Sequence, residues 1–97
     1  MASKKAIIIH GRDNVATALV SLQAGTVVSL SVQNAQQRVK IRNPIPMGHK
    51  FALRPIDEGQ EVVKYGEPIG RATASIAQGE HVHVHNVVSH RRRKEGV

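Results

Sequence analysis

The sequence predicts an all-β domain, and three observations carry that prediction. In 27–32, Val28, Leu30 and Val32 alternate with Ser29 and Ser31, and in 38–42, Val39 and Ile41 alternate with Arg38, Lys40 and Arg42. A period of two is the mark of a strand with one buried face. Phe51 and Tyr65 are the only aromatics and there is no tryptophan, so the core must be made from Val, Ile, Leu and Ala, and the branched members of that set favour strands. A faint repeat supplies the turns. Leu22-Gln23-Ala24-Gly25, Ile56-Asp57-Glu58-Gly59 and Ile76-Ala77-Gln78-Gly79 each place a glycine three residues after a buried-type Leu or Ile, and each is followed by a β-rich stretch. Such L/I-x-x-G corners suit turns with positive φ and leave no room for long helices.

The elements follow in order. Ala6 to His10 is an apolar run after a basic start and reads as a strand. The segment from Val15 to Leu22 fits a helix capped by Asp13 and ended by Gly25, but its alternation of Val15, Thr17 and Leu19 fits a strand equally well; the repeat favours the strand. The alternating stretches 27–32 and 38–42 form a hairpin turning near Asn34, with a basic outer face. Pro44 and Pro46 remove backbone donors and Gly48 permits an unusual backbone angle, so 43–48 is an irregular loop leading into His49 and Lys50. The last strand is written by His81-Val82-His83-Val84-His85-Asn86, whose three imidazoles are expected on one face and whose valines on the other.

The chain of 97 residues makes one small domain, expected over 1–88, with a basic tail or linker over 89–97. A domain of this size buries only about 60–65% of its unfolded surface. Without cysteine there is no disulfide framework and no thiolate metal site, and no secretory or ~20-residue apolar run is present. A cytoplasmic location and no membrane association are therefore expected. The net charge of +7 raises nucleic acid as a partner. Arg91, Arg92, Arg93 and Lys94 against Glu95 supply three of those charges, however, and two aromatics cannot make the stacking platform of a single-strand binder. Nucleic-acid binding is not expected.

Three separated motifs resemble a known family: 45–53 (IPMGHKFAL), 63–73 (VKYGEPIGRAT) and 79–86 (GEHVHVHN), preceded by the Asp13-Asn14-Val15-Ala16 box. They look like the SAF-type domain found at the N-terminus of altronate and galactarate dehydratases and as the small subunit of two-component relatives such as sulfolactate sulfo-lyase. The resemblance implies a β-clip fold, shared with sialic-acid synthase C-terminal domains and type III antifreeze proteins. It also implies service to a metal-dependent hydro-lyase, with iron or manganese in the assembled enzyme and with a large catalytic subunit or domain as partner.

Dehydration of a polyhydroxy acid needs a base for the proton α to the carboxylate, an acid for the leaving hydroxyl, and positive charge for the enolate. His83 and His85 are the expected metal ligands, since same-face residues two apart on a strand can reach one ion. His49 and His85 are the expected acid–base groups. Lys50, Arg54, Arg71 and Asn86 are the expected contacts to a sugar-acid substrate. A binding module that holds an anionic sugar or a partner protein without catalysis is the alternative, and association of the chain with itself remains open. Because the chain offers no complete acid, base and metal constellation, no activity is expected from it alone.

Overall fold

A computed structural model describes residues 4–32 and 35–89. Among these residues the structure is all strands, with nine in chain order: β1 (Ala6–Ile7), β2 (Val15–Ala18), β3 (Val27–Val32), β4 (Ala35–Lys40), β5 (Lys50–Ala52), β6 (Glu61–Lys64), β7 (Glu67–Ala72), β8 (His81–Val82) and β9 (Val87–Ser89). They form a four-stranded sheet of order β1-β2-β5-β8, the hairpin β3-β4 and a three-stranded sheet β6-β7-β9, antiparallel throughout. No helix among the described residues is long and apolar enough to cross a membrane.

The pleat explains the layering. In β2 and β5, neighbouring side chains point to opposite faces, so Ala16 and Phe51 join one core with Val28, Leu30, Val39 and Ile41, whereas Val15 and Ala52 join a second with Ile56, Val62, Ala72, Ile76 and Val82. The central sheet is thus buried on both faces, with the β3-β4 hairpin on one side and the β6-β7-β9 sheet on the other. The hairpin pattern holds: Val28, Leu30, Val39 and Ile41 are buried, and Arg38, Lys40 and Arg42 are exposed. Its turn near Asn34 lies outside the described residues, as do residues 90–97 of the basic tail; Ser89, assigned to that tail, closes β9.

The corners number four among the described residues, one more than the repeat shows. Gly25, Gly48, Gly59 and Gly79 all have φ between 83° and 93°. In each the residue after the glycine donates to the carbonyl three back, as His49 N does to Pro46 O at 3.0 Å and Glu80 N to Ala77 O at 3.0 Å, which is the type II turn that wants glycine at its third position. The corners meet in pairs: Leu22 with Ile45 and Ile56 with Ile76 exchange backbone hydrogen bonds of 2.8 Å in both directions. The fourth corner, Ile45-Pro46-Met47-Gly48, has the same I-x-x-G spacing as the other three, with Pro46 and Met47 between the buried Ile45 and the glycine.

Three expectations need correction. The strand at Ala6 to His10 stops at Ile7. The ambiguous 15–22 segment is a strand only to Ala18, and Asp13 caps no helix. The histidine strand ends at Val82: residues 83–86 form a turn closed by Asn86 N donating to His83 O at 3.1 Å, and Val84, expected on the buried face, is 76% exposed. The physical reason is position, since β8 is the sheet edge and nothing beyond Val82 holds the chain extended.

Candidate metal centre

His49 stands at the end of the Pro46–His49 turn, one residue before β5, and β8 pairs with β5 so that Phe51 lies opposite His81. That pairing brings the two imidazoles together across a sequence separation of 32 residues, with His49 Nδ1 2.9 Å from His81 Nε2. The turn after Val82 then folds His83 back, its ring centroid 4.2 Å from that of His49 and 5.5 Å from that of His81. The turn is set by a buried amide. Asn86 Oδ1 accepts from His83 N at 3.0 Å and Asn86 Nδ2 donates to His81 O at 2.9 Å. On the other side, Asn43 Oδ1 accepts from His81 N at 3.0 Å.

One ligand nitrogen from each of His49, His81 and His83 lies within 4.8 Å of the others. Nitrogens sharing an ion at about 2.0–2.1 Å can be no more than about 4.2 Å apart, so a small closing of the spacing, with rotation of the near-parallel rings to aim their in-plane lone pairs at one point, would let the three hold a divalent transition metal. An all-imidazole set suits iron, zinc, copper or nickel better than a hard cation, and three protein ligands leave positions open.

Electrostatics favour the neutral, ligand-ready form. His81 has its pKa lowered by burial and then by His85, His49, His83 and Lys50; His83 is lowered by burial and then by His49, Lys50 and His85. In the unfolded chain both titrate near 6.5. Above that pH their contribution to stability is complete, and as pH falls through the lowered folded values the unfolded chain takes up more protons and the contribution is lost. Thermal stability of the metal-free chain is therefore expected to fall between about pH 7 and 5, with a shallower slope in His81→Gln. An unchanged slope in that variant would assign the acid sensitivity to other groups.

The other expected site residues divide. Lys50 lies beside the cluster, with its pKa lowered by burial and by Lys64. His85 is exposed, its ring 5.2 Å from that of His81 but outside the trio, whereas His49 and His83 belong to it together with His81. Asn86 is only 4% exposed and its amide is used within the turn, so it positions His81 and His83. Arg54 and Arg71 are exposed, and neither lines the groove beside the histidines.

Sequence reasoning missed what anchors that groove. Asp13, 2% exposed, accepts from His10 N (3.0 Å), Tyr65 N (3.3 Å) and Gly66 N (2.8 Å). Asn14 donates to Glu61 O (2.9 Å) and accepts from Val63 N (2.8 Å), beside the register shift between Val62 and Val63. These two polar side chains pin the β6-β7 hairpin, whose turn residues Tyr65 (φ 58°) and Gly66 (φ 75°) both have positive φ. No local signal reveals this, because the partners are 47 to 53 residues away.

Fold and site together define a small all-β domain that presents an imidazole cluster at a sheet edge. The family model described as the altronate/galactarate dehydratase SAF domain matches residues 4–90, and the chain belongs to that family. It is 52% identical over 80 residues to an altronate dehydratase of Escherichia coli (strain K12), covering 82% of this chain and 15% of that enzyme. To an altronate dehydratase of Bacillus subtilis (strain 168) it is 42% identical over 83 residues, 86% of this chain and 16% of that one. To a (2R)-sulfolactate sulfo-lyase subunit alpha of Chromohalobacter salexigens it is 39% identical over 88 residues, 87% of this chain and 94% of that subunit. The chain thus spans about a sixth of the dehydratases it matches and nearly all of a lyase small subunit, as the quoted motifs imply.

Proposed function

We propose that this chain is the small subunit or N-terminal domain of a metal-dependent hydro-lyase acting on sugar acids in the cytoplasm, inactive without its catalytic partner. The convergence of His49, His81 and His83 carries the reading, because three imidazoles are brought together by the pairing of β5 with β8 and the turn that follows it. The coverage of nearly all of a lyase subunit alpha by one match and of about a sixth of a dehydratase by another supports a catalytic chain as partner, in trans or in cis.

In this reading His49, His81 and His83 hold the ion, with iron favoured over manganese by the all-imidazole set. When bound, the metal supplies positive charge that polarises the substrate carboxylate and stabilises the enolate. Asn86 and Asn43 fix the backbone of His81 and His83 and so the direction of their rings. His85, exposed beside His81, is the proton-transfer group for the departing hydroxyl, and Lys50 adds positive charge next to the cluster. The base that removes the α-proton comes from the catalytic partner.

The test is reconstitution. The purified chain alone is expected not to dehydrate altronate or galactarate, and adding the candidate catalytic chain with ferrous iron is expected to restore turnover. Robust activity from the chain alone would show that the active site is misplaced.

A further inference from the structure

The groove running from His83 to the β6-β7 turn is not accounted for by the metal centre. It encloses about 710 Å³, within the range of about 300–1,000 Å³ typical of small-molecule sites, between the turn after β8 and the β6-β7 hairpin. Ile69, Val82 and Val87 give it an apolar lining, and its cationic groups are Lys50 and Lys64. We propose that this groove binds the carboxylate of a polyhydroxy acid through Lys50 and Lys64, with His83 joining it to the metal centre. The proposal rests on the hydro-lyase reading and locates the acid's charged end on this chain.

Three observations support it. Lys50 and Lys64 both line the groove and both are half-buried. Two ammonium groups held together in partial burial repel one another, and an anion between them relieves that repulsion. Glu67 shares the lining but is exposed at the rim. Next, Lys64 is held in place, its Nζ 5.0 Å from the centroid of the Tyr65 ring. Finally, Tyr65 adopts a left-handed conformation that a non-glycine residue takes only when its surroundings impose it, and the buried Asp13 carboxylate imposes it by accepting the Tyr65 and Gly66 amides. The domain commits a buried charge to shaping this one rim. The concave form and the lysines lining it favour a small acid over an acidic segment of a partner chain, which would meet the exposed Tyr65 and Val84 first.

The experiment is an amide chemical-shift titration of the chain in EDTA, with galactarate as the probe and galactitol as its uncharged counterpart. Galactarate is expected to move the signals of Lys64, Tyr65, Ile69 and Val84, and galactitol to leave them in place. Lys50→Gln and Lys64→Gln are each expected to weaken galactarate binding about tenfold, equivalent to about 1.4 kcal/mol, and Lys64→Gln, which lies outside the metal centre, to leave zinc affinity unchanged. His81→Gln is expected to do the reverse. Galactarate binding through the lysines in a chain that takes no zinc would remove the metal reading and leave the groove standing. Zinc binding without a galactarate response, or galactarate binding indifferent to both lysines, would overturn the proposal. So would protection of the lysines from an amine-reactive label by the catalytic chain but not by galactarate, which would make the groove a docking surface.

Discussion

His81→Gln is expected to weaken binding of a divalent transition metal by at least about 100-fold and to lower turnover of the assembled enzyme by a similar factor, with the fold retained. His81 lies 2.9 Å from His49 through ring nitrogens and is stacked with His83. Loss of an outer partner of a ligand typically costs about 10–100-fold, and loss of the ligand itself costs at least as much. The fold survives because the bonds that hold residue 81, from Asn43 and Asn86, go to its backbone. His85→Gln provides the contrast: metal affinity is expected to stay within about threefold while turnover falls about 100-fold, the usual scale for removing a proton-transfer group. Titration calorimetry with zinc and turnover with ferrous iron measure the two. If His85→Gln loses the metal and His81→Gln keeps it, the ligand set is the His83–His85 pair that strand alternation predicts.

The largest stability loss is expected from Gly79→Ala. The four corner glycines share one conformation, yet a Cβ at Gly25, Gly48 or Gly59 meets nothing within 4 Å, whereas at Gly79 it would run into the backbone carbonyl of Lys40. That corner is clamped from both sides, with Gly79 N donating to Ala52 O at 2.8 Å and Gly79 O accepting from Arg42 N at 2.9 Å, so neither strand can move without losing a hydrogen bond. Gly25→Ala carries only the left-handed penalty of about 1–2 kcal/mol. Gly79→Ala adds a backbone clash and is expected to cost more than about 4 kcal/mol, a large part of the ~5–10 kcal/mol available to a domain of this size. Thermal unfolding checks this. Gly25→Ala should lower Tm by about 5–15 °C, and Gly79→Ala should abolish the cooperative transition or lower it far further. Equal losses would mean that the Lys40 carbonyl yields and the corners are interchangeable.

Much of the fold was legible from local pattern. Alternation in 27–32 and 38–42 specifies which residues the hairpin buries, because a period of two has only one solution once one face is apolar. The L/I-x-x-G repeat specifies corners because positive φ leaves glycine as the natural occupant. The motifs around His49, Tyr65 and His81–His85 identify the family on their own. The same local logic failed at the histidine run, where alternation placed His83 and His85 side by side and Val84 in the core. An edge strand has one partner only, and a buried Asn86 amide ends it at Val82.

What the sequence alone determined is therefore the all-β class, the buried face of the hairpin and the family. Which histidines converge was decided by the tertiary structure, because His49 reaches His81 only through the pairing of β5 with β8, a contact with no trace in the neighbouring residues. The same holds for Asp13 and Asn14, which look like a helix start and are in fact the pins of a hairpin some fifty residues away. A buried carboxylate or amide takes its role from whichever backbone donors and acceptors the fold brings within 3 Å, and those belong to the fold rather than to the segment.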